Sequence, residues 1–371
     1  MDELNTTRTP LAGRVAETDR PGSTPQNISV GIILNPKHPA TLRAYAELVP
    51  ELRNAGAHYR SMTTSVERSG RWQAAQLIAW GADTVIILGG DGTIRATAPV
   101  LAEAGTPTFL IPTGTANVLS RHIGLRSSRH AIDLCVRTLP SISRDGQMNL
   151  CGIPINTADF QTADGRRHRT DFISLAGIGG DARAVAHHRS APGLLGYAWG
   201  AARALFAADF TASTADSASM RDTASIRDTA SIRDAASMRD AAGMRDTAGA
   251  GEATASGPVW SVMVSKVARP AGPIAVFPEA RIGAQTFSML TVGPFPRSPI
   301  ERCRAWAEIA AACLRGRPDA HRLMDYRSTT VTTVAVEPPV PAQLDGDFIG
   351  DCLELRVSTG EKTLLVSAPT A

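Results

Sequence analysis

The fold is decided by ten consecutive residues, Thr84-Val85-Ile86-Ile87-Leu88-Gly89-Gly90-Asp91-Gly92-Thr93. The first five are apolar or β-branched, which is typical of a strand buried on both faces of a parallel sheet. Three glycines lie in the next four residues, and helical spacing of apolar residues begins near Ile94. The stretch therefore predicts a strand, a tight turn and a helix. Open α/β sheets bind their ligands at such carboxyl ends of strands.

Strands and helices alternate on both sides of this stretch. Strands are predicted at 28–34, 58–62 and 108–111, with helices at 39–55, at 72–80, from about 94 to 104 and from about 117. This alternation predicts an N-terminal α/β domain with a Rossmann-like parallel sheet. After residue 150 the pattern changes to strands separated by Pro and Gly. They are predicted at 172–178, 259–267, 287–292, 329–336, 353–357 and 363–366, with helical stretches at 194–208 and 299–314. We expect a mostly antiparallel β-sandwich as the C-terminal domain.

Two segments do not fit either domain. Residues 1–26 lack periodicity and predict a disordered tail. Residues 219–248 are five hexapeptides, from SMRDTA to GMRDTA, and a period of six forms no single apolar face on a helix. We interpret 212–256 as a disordered insert. The ordered chain then divides into 27–150, a nucleotide-binding domain, and a β-rich domain formed by 151–211 and 257–358.

The composition excludes several classes of protein. Lys and Arg number 38 against 35 Asp and Glu, so the net charge of +3 gives no electrostatic argument for nucleic acid. Five cysteines without a CxxC pair fit neither a disulfide framework nor a zinc site. No apolar run approaches the roughly 18 residues that span a bilayer, and the polar N-terminus lacks the features of a signal peptide. We expect a cytoplasmic protein that does not bind nucleic acid.

The glycine loop, Gly89 to Thr93, has the features of a phosphate site. Glycines let the backbone approach a phosphate closely, and the start of a helix supplies N–H donors. A carboxylate repels phosphate unless a cation bridges the two, so Asp91 predicts Mg²⁺. The same residues also fit a tight turn in which Asp91 caps the helix.

A second turn strengthens the nucleotide interpretation. Pro112-Thr113-Gly114-Thr115-Ala116-Asn117 follows the next strand and also opens a helix. Thr115 can donate to a phosphate oxygen, while Asn117 can cap the helix or contact the nucleotide. Because both turns lie at the same edge of the sheet, we favour nucleotide binding over simple capping.

A third motif, Gln343-Leu344-Asp345-Gly346-Asp347, occurs late in the chain. Asp-Gly is a common choice for a type I′ hairpin turn, and the residues alone favour that interpretation.

Together these motifs resemble the bacterial diacylglycerol kinase-like lipid kinases, relatives of the sphingosine kinases. The resemblance covers about residues 28–368. Its motifs, in order, are Asn35-Pro36, Thr63-Thr64, Gly89 to Thr93, Gly114 to Leu119, His122 to Leu125, Ala176 to Ala182, Leu195 to Tyr197 and Asp345 to Asp347.

The resemblance implies ATP-dependent phosphorylation of a lipid hydroxyl, diacylglycerol by default, in phospholipid metabolism. It implies peripheral contact with the inner face of the membrane and favours a homodimer. It also implies that residues 359–371 return to the first domain. Asp347 would be the general base and Asp91 would act through Mg²⁺. The ATP-binding residues would be Asn35, Thr64, Gly89, Gly90, Asp91, Gly92, Thr93, Gly114, Thr115 and Asn117.

The chain departs from this family at several positions. Gly283-Ala284-Gln285 and Ser288 stand where members carry Asp-Asp-Gly and a further Asp, which implies that an accessory metal site is absent. Lys266 stands where members carry Asn. These departures keep open a second interpretation, a degenerate kinase that regulates by binding nucleotide or lipid. A third, an NAD kinase-like enzyme, shares the Gly-Gly-Asp-Gly loop, but its Asn-Glu pair is missing from the turn at 112–117.

Overall fold

The computed structural model describes residues 28–142, 149–188, 204–216, 253–270 and 274–369. They form two sheets. The predicted tail at 1–26, the hexapeptides and most of the helical stretch at 194–208 lie outside the described residues. Within the described residues, no helix has the length and apolar character needed to cross a membrane.

The first sheet has six strands. They are β1 (Ser29–Leu34), β2 (His58–Thr63), β3 (Thr84–Gly89), β4 (Thr108–Pro112), β5 (Leu150–Pro154) and β16 (Thr363–Ser367). Their order across the sheet is β2-β1-β3-β4-β16-β5. All neighbours are parallel except β16 and β5, which are antiparallel. The first sheet therefore includes a strand just beyond residue 150 and another drawn from the far end of the chain.

Five helices accompany this sheet. They are α1 (Pro39–Asn54), α2 (Arg71–Ala79), α3 (Asp91–Glu103), α4 (Val118–His122) and α5 (Ser128–Ile142). All six residues of β3 are buried, as expected for a central parallel strand covered on both faces. The apolar side of α1, including Leu48 and Leu52, belongs to the same core as β3.

The second sheet has ten strands and is antiparallel throughout. They are β6 (Asn156–Thr162), β7 (Arg167–Phe172), β8 (Leu175–Gly179), β9 (Phe210–Asp216), β10 (Ala253–Val259), β11 (Ser261–Ser265), β12 (Phe287–Val292), β13 (Met324–Thr329), β14 (Val331–Leu344) and β15 (Asp347–Ser358). The helices α6 (Gly180–His188) and α7 (Pro299–Leu314) belong to this half of the chain. The predicted fold class, a parallel α/β sheet and a separate antiparallel sheet, is confirmed.

The hairpin from β14 to β15 has the predicted turn. Leu344 pairs with Asp347, and only Asp345 and Gly346 lie between them. Their φ angles are +49° and +83°, and a type I′ turn requires positive φ at both central positions. The Asp-Gly pair therefore forms the tight turn that its sequence indicates.

Two predictions about strands differ from the structure. The strand predicted at 172–178 is divided between β7 and β8, because the Asp345 carboxylate accepts hydrogen bonds from the backbone N–H groups of Ile173, Ser174 and Leu175. Both ends of the insert predicted at 212–256 are strands, since β9 pairs with β10 and with β14.

Candidate functional site

The predicted nucleotide residues lie at one edge of the first sheet, where β1 to β4 end. Backbone hydrogen bonds continue the sheet into the loops. The Asn35 N–H donates to Leu88 O at 3.0 Å, and the Thr64 N–H donates to Leu34 O at 2.9 Å. The Thr113 N–H donates to Gly89 O at 3.1 Å. The structure therefore brings together loops that are far apart in the sequence.

The two glycine turns are in direct contact. A Cβ atom at Gly114 would lie 2.6 Å from the Cα of Gly90, which is closer than real Cβ contacts allow. The Asn117 side chain shapes the second turn, because its Oδ1 accepts from the Gly114 N–H at 3.0 Å and its Nδ2 donates to Gly114 O at 2.7 Å. Asn117 itself is left-handed, with φ of +47°. Asn117 occupies the N-cap position of α4, but its side chain makes no capping hydrogen bond and instead bonds within the turn, so the predicted capping role is wrong.

The first turn of α3 is open toward solvent. Gly90 is its N-cap and provides no side chain, and Gly92 is exposed with no atom within 4 Å of where a Cβ would lie. The N–H groups of a helix's first turn have no partners within the helix. The Thr93 N–H donates to Gly90 O at 3.0 Å, which leaves the N–H groups of Asp91 and Gly92 beside this open space. Such donors at a helix N-terminus fit a bound phosphate.

The polar side chains around this turn differ in exposure. Thr93 is buried, and its Oγ1 lies 3.3 Å from the Asn35 Nδ2 that donates to it. Thr64 is also buried, whereas Thr115 is exposed in the second turn. Thr115 is therefore better placed than Thr64 to reach a ligand from solvent.

Asp91 caps the helix that follows the second turn. Its two carboxylate oxygens accept from the N–H groups of Val118 at 3.0 Å and Leu119 at 3.1 Å. Burial raises the pKa of Asp91, and these two hydrogen bonds oppose the shift. The cap that the sequence suggested for its own helix is thus made to the neighbouring helix, α4.

Mg²⁺ binding by Asp91 would compete with this cap. Each of its two oxygens already accepts from a backbone N–H, and burial raises the pKa of Asp91. In the part of the chain that the structure describes, no three His, Cys, Asp or Glu side chains are grouped so as to hold a metal ion. Asp91 therefore caps α4, and its role with Mg²⁺ stays a prediction.

The Asp345 carboxylate also accepts hydrogen bonds from the backbone. It accepts from the N–H groups of Ile173, Ser174 and Leu175 at 2.9, 2.7 and 3.1 Å, and from the Ser174 hydroxyl at 2.7 Å. The Asp345 side chain therefore fixes the β14–β15 turn to the segment between β7 and β8.

Asp347 is the accessible carboxylate of the late motif. Its side chain is 60% exposed, and its Oδ2 accepts from Arg95 Nη2 at 2.5 Å. Arg95 Nη1 donates to Leu344 O at 2.9 Å. Arg95 belongs to α3, so the turn from the second sheet lies against the helix that begins at the glycine loop.

Three residues that support this turn were missed by sequence reasoning. Arg95 contacts it directly. Gln343 accepts from the Gly346 N–H at 2.9 Å and donates to the buried Asp181 at 2.9 Å. Burial raises the pKa of Asp181, opposed by hydrogen bonds from Ser261 and Gln343. Arg95 lies within one turn of the glycine loop and Asp181 lies in a quoted motif, but nothing local indicates their partners.

Residues 29–144 match the family model of the diacylglycerol kinase catalytic domain. The resemblance predicted from the motifs is confirmed for this segment. A diacylglycerol kinase of Mycobacterium tuberculosis is 30% identical over 27% of this chain and 33% of its own length. A probable YegS-like lipid kinase of Stenotrophomonas maltophilia is 32% identical over 23% of this chain and 35% of its own length. The chain thus spans about a third of the length of the curated relatives it matches.

Solved structures of diacylglycerol kinase-like proteins have the same fold. A putative diacylglycerol kinase from Bacillus anthracis gives a TM-score of 0.57 at 18% identity, covering 92% of this chain and 97% of that one. A yeast NADH kinase complexed with NADH gives 0.50 at 12% identity, covering 93% and 84%. At these identities the likeness concerns the fold alone, and it extends over both sheets.

Proposed function

We propose that this chain is a lipid kinase that transfers the γ-phosphate of ATP to a lipid hydroxyl. One observation carries the proposal. An exposed carboxylate, Asp347, is held on the turn of the second sheet against α3, the helix whose first turn offers free N–H groups to phosphate. A carboxylate suited to accept a proton from a hydroxyl therefore lies beside the helix that begins at the proposed phosphate site. The match of residues 29–144 supports the same chemistry.

The reaction follows from this arrangement. The first turn of α3 and the turn at Gly114 would bind the terminal phosphates, with Thr115 as a hydroxyl donor. The lipid hydroxyl attacks the γ-phosphorus, its proton passes to Asp347, and the bond between the γ-phosphorus and the bridging oxygen breaks to release ADP. The hydrogen bond from Asn35 Nδ2 to the buried Thr93 Oγ1 connects the loop after β1 to the start of α3. Each step above is assigned to residues of this chain, and Mg²⁺ would neutralise charge on the phosphates when bound with ATP.

The acceptor is proposed to be a diacylglycerol-like lipid taken from the inner face of a membrane. The matched relatives in Mycobacterium and Stenotrophomonas are described as a diacylglycerol kinase and a probable lipid kinase. An acyl chain is recognised by non-directional apolar contacts, so the panel of acceptors has to include other hydroxyl lipids.

The test measures transfer of radiolabelled γ-phosphate from ATP to micellar diacylglycerol, ceramide and sphingosine, with NAD as a non-lipid acceptor. Asp347→Asn should lower kcat by about 10²–10⁴-fold, the usual contribution of a general base. Asp351→Asn, an exposed carboxylate on the same strand, is the matched control and should keep activity. Transfer only to NAD, or equal activity of Asp347→Asn and wild type, would contradict the proposal.

A regulator that binds nucleotide without transferring phosphate is the second candidate. Two observations favour it. Asp347 is already paired with Arg95, and no described cluster of carboxylates offers a metal site. Retained ATP binding by calorimetry, together with no transfer to any acceptor, would favour this function.

A further inference from the structure

Arg95 on α3 contacts the β14–β15 turn at two points. Nη1 of Arg95 donates to the carbonyl of Leu344, and Nη2 donates to the carboxylate of Asp347. Leu344 and Asp347 are the last paired residues before the turn of the hairpin. One guanidinium therefore binds both sides of the turn at once.

We propose that Arg95 is the positioning residue for Asp347, setting the direction in which this carboxylate faces the first turn of α3. The inference rests on the proposed function, because it assigns Asp347 a reacting proton. It goes beyond the function by naming a residue, on the glycine-loop helix itself, that acts through Asp347.

The rest of the turn is fixed from within the second sheet. Asp345 is tied to residues 173–175, and the Gly346 N–H is tied to Gln343. Among the described residues, Arg95 is the side chain that hydrogen bonds to the Asp347 carboxylate. Without it, an Asp347 side chain that is 60% exposed would be free to adopt other rotamers. The turn would keep its internal hydrogen bonds but lose its two contacts with α3, so it would open more often and the direction of the carboxylate would no longer be fixed.

Arginine suits this task better than lysine. Its planar fork presents two donors at a fixed spacing, whereas an ammonium is a compact charge that binds at one point. Arg95→Lys should therefore keep the charge but lose the two-point contact. A partial loss of rate in Arg95→Lys and a larger loss in Arg95→Ala are expected.

The effects of Arg95→Ala on stability and on rate distinguish a positioning role from a structural one. An ion pair in which one partner is largely exposed contributes little to stability. By contrast, misplacing a reacting group by about 1 Å can lower a rate roughly 10²-fold. Arg95→Ala should therefore change the rate far more than it changes the free energy of unfolding.

The matched control is a second ion pair between the two halves of the chain. Arg71 on α2 pairs with Asp171 on β7 at 3.8 Å, and the Arg71 side chain is 69% exposed. Arg71→Ala removes a guanidinium from a neighbouring helix without touching the turn. It should leave kcat and the KM for ATP unchanged.

The experiment compares wild type, Arg95→Ala, Arg95→Lys, Arg71→Ala, Asp347→Ala and the double variant Arg95→Ala/Asp347→Ala. Arg95→Ala should lower kcat about 10²-fold while the KM for ATP stays near wild type. Guanidinium ion at millimolar concentration should restore part of kcat in Arg95→Ala, while sodium chloride of equal ionic strength should not. The double variant should be no slower than Asp347→Ala, because Arg95 acts through Asp347.

Hydrogen–deuterium exchange supplies a readout that does not depend on lipid phosphorylation. The backbone around residues 343–349 should exchange faster in Arg95→Ala than in wild type or Arg71→Ala. A wild type that phosphorylates no acceptor would refute the proposed function, and exchange would then still decide whether Arg95 holds the turn. Unchanged exchange, a raised KM for ATP with unchanged kcat, or additive losses in the double variant would overturn the inference.

Discussion

The side-chain amide of Gln343 donates a 2.9 Å hydrogen bond to the buried carboxylate of Asp181. Oε1 of the same side chain accepts a hydrogen bond from the Gly346 N–H, also at 2.9 Å. Gln343 is fully buried, whereas Gly346 in the turn is exposed. The start of α6 is thereby connected to the turn that carries Asp347.

Replacing Gln343 should destabilise the protein. Gln343→Met keeps the volume but leaves the Asp181 carboxyl without one donor, and an unsatisfied buried polar group costs about 1–3 kcal/mol. The free energy of unfolding in urea measures the effect. Gln285→Met, at an exposed glutamine, should stay within about 0.5 kcal/mol of wild type. Equal stability of the two variants would mean that Gln343 is not a structural connection.

The two glycine turns give opposite expectations for alanine. Gly114→Ala places a Cβ 2.6 Å from Gly90 Cα and should cost about 1–3 kcal/mol, the usual penalty of overpacking. Gly92→Ala meets no atom within 4 Å and should fold with wild-type stability or better. Its methyl group nevertheless enters the proposed phosphate space, so ATP binding by calorimetry should weaken about tenfold, or 1.4 kcal/mol. Unchanged ATP affinity in Gly92→Ala would place the phosphates elsewhere.

Asp91 should behave as a helix cap. Asp91→Ala removes the acceptor for the N–H groups of Val118 and Leu119 and should cost about 0.5–2 kcal/mol. Asp133→Ala, an exposed carboxylate on α5, is the control and should cost little. Added Mg²⁺ without nucleotide should shift the Tm of wild type and Asp91→Ala equally. A Mg²⁺-dependent shift in Tm that only wild type shows would support a metal-binding role for Asp91.

Lys266 should make stability depend on pH. It is fully buried, donates to Ala284 O and to Thr359 Oγ1, and lies over the Phe287 ring. Burial lowers the pKa of Lys266 to about 7. Between this value and the higher pKa of an unfolded lysine, the unfolded chain binds more protons, so stability should rise with pH.

The measurement compares wild type with Lys266→Met across this pH range. The free energy of unfolding of wild type should gain on that of Lys266→Met by at most about 1.4 kcal/mol per pH unit above pH 7. Lys362→Met, at an exposed lysine paired with Glu103, should follow wild type. A constant difference between wild type and Lys266→Met would show that the ammonium is not penalised by burial.

Local patterns predicted much of the fold because they depend on neighbouring residues. The apolar run of β3, the glycine turn after it and the Asp-Gly hairpin are specified within a few residues. The strands β6 and β7 were missed. β7 is an edge strand of the second sheet, and its first four residues are exposed. The buried positions of β6 are Asn156, Ala158 and Phe160, so neither strand has a strongly apolar alternation.

The partners of the candidate site residues could not be predicted in the same way. Arg95 and Asp347 are 252 residues apart, and Asp91 caps a helix 27 residues further along. A carboxylate looks the same in sequence whether it binds a cation or accepts backbone N–H groups. Only the packing of the two sheets decides which carboxylates accept hydrogen bonds from the backbone, as Asp91 and Asp345 do. It also decides which carboxylate stays accessible to solvent, as Asp347 does.

The position of β16 has a consequence for the order in which this protein is made. β5 pairs with β16, and β16 also adjoins β4, yet every strand of the second sheet is synthesised between β5 and β16. The half that holds the first sheet therefore emerges from the ribosome first but lacks a strand until residues 363–367 follow. Its sheet can be completed only after the other half has been translated, which couples the maturation of the two halves.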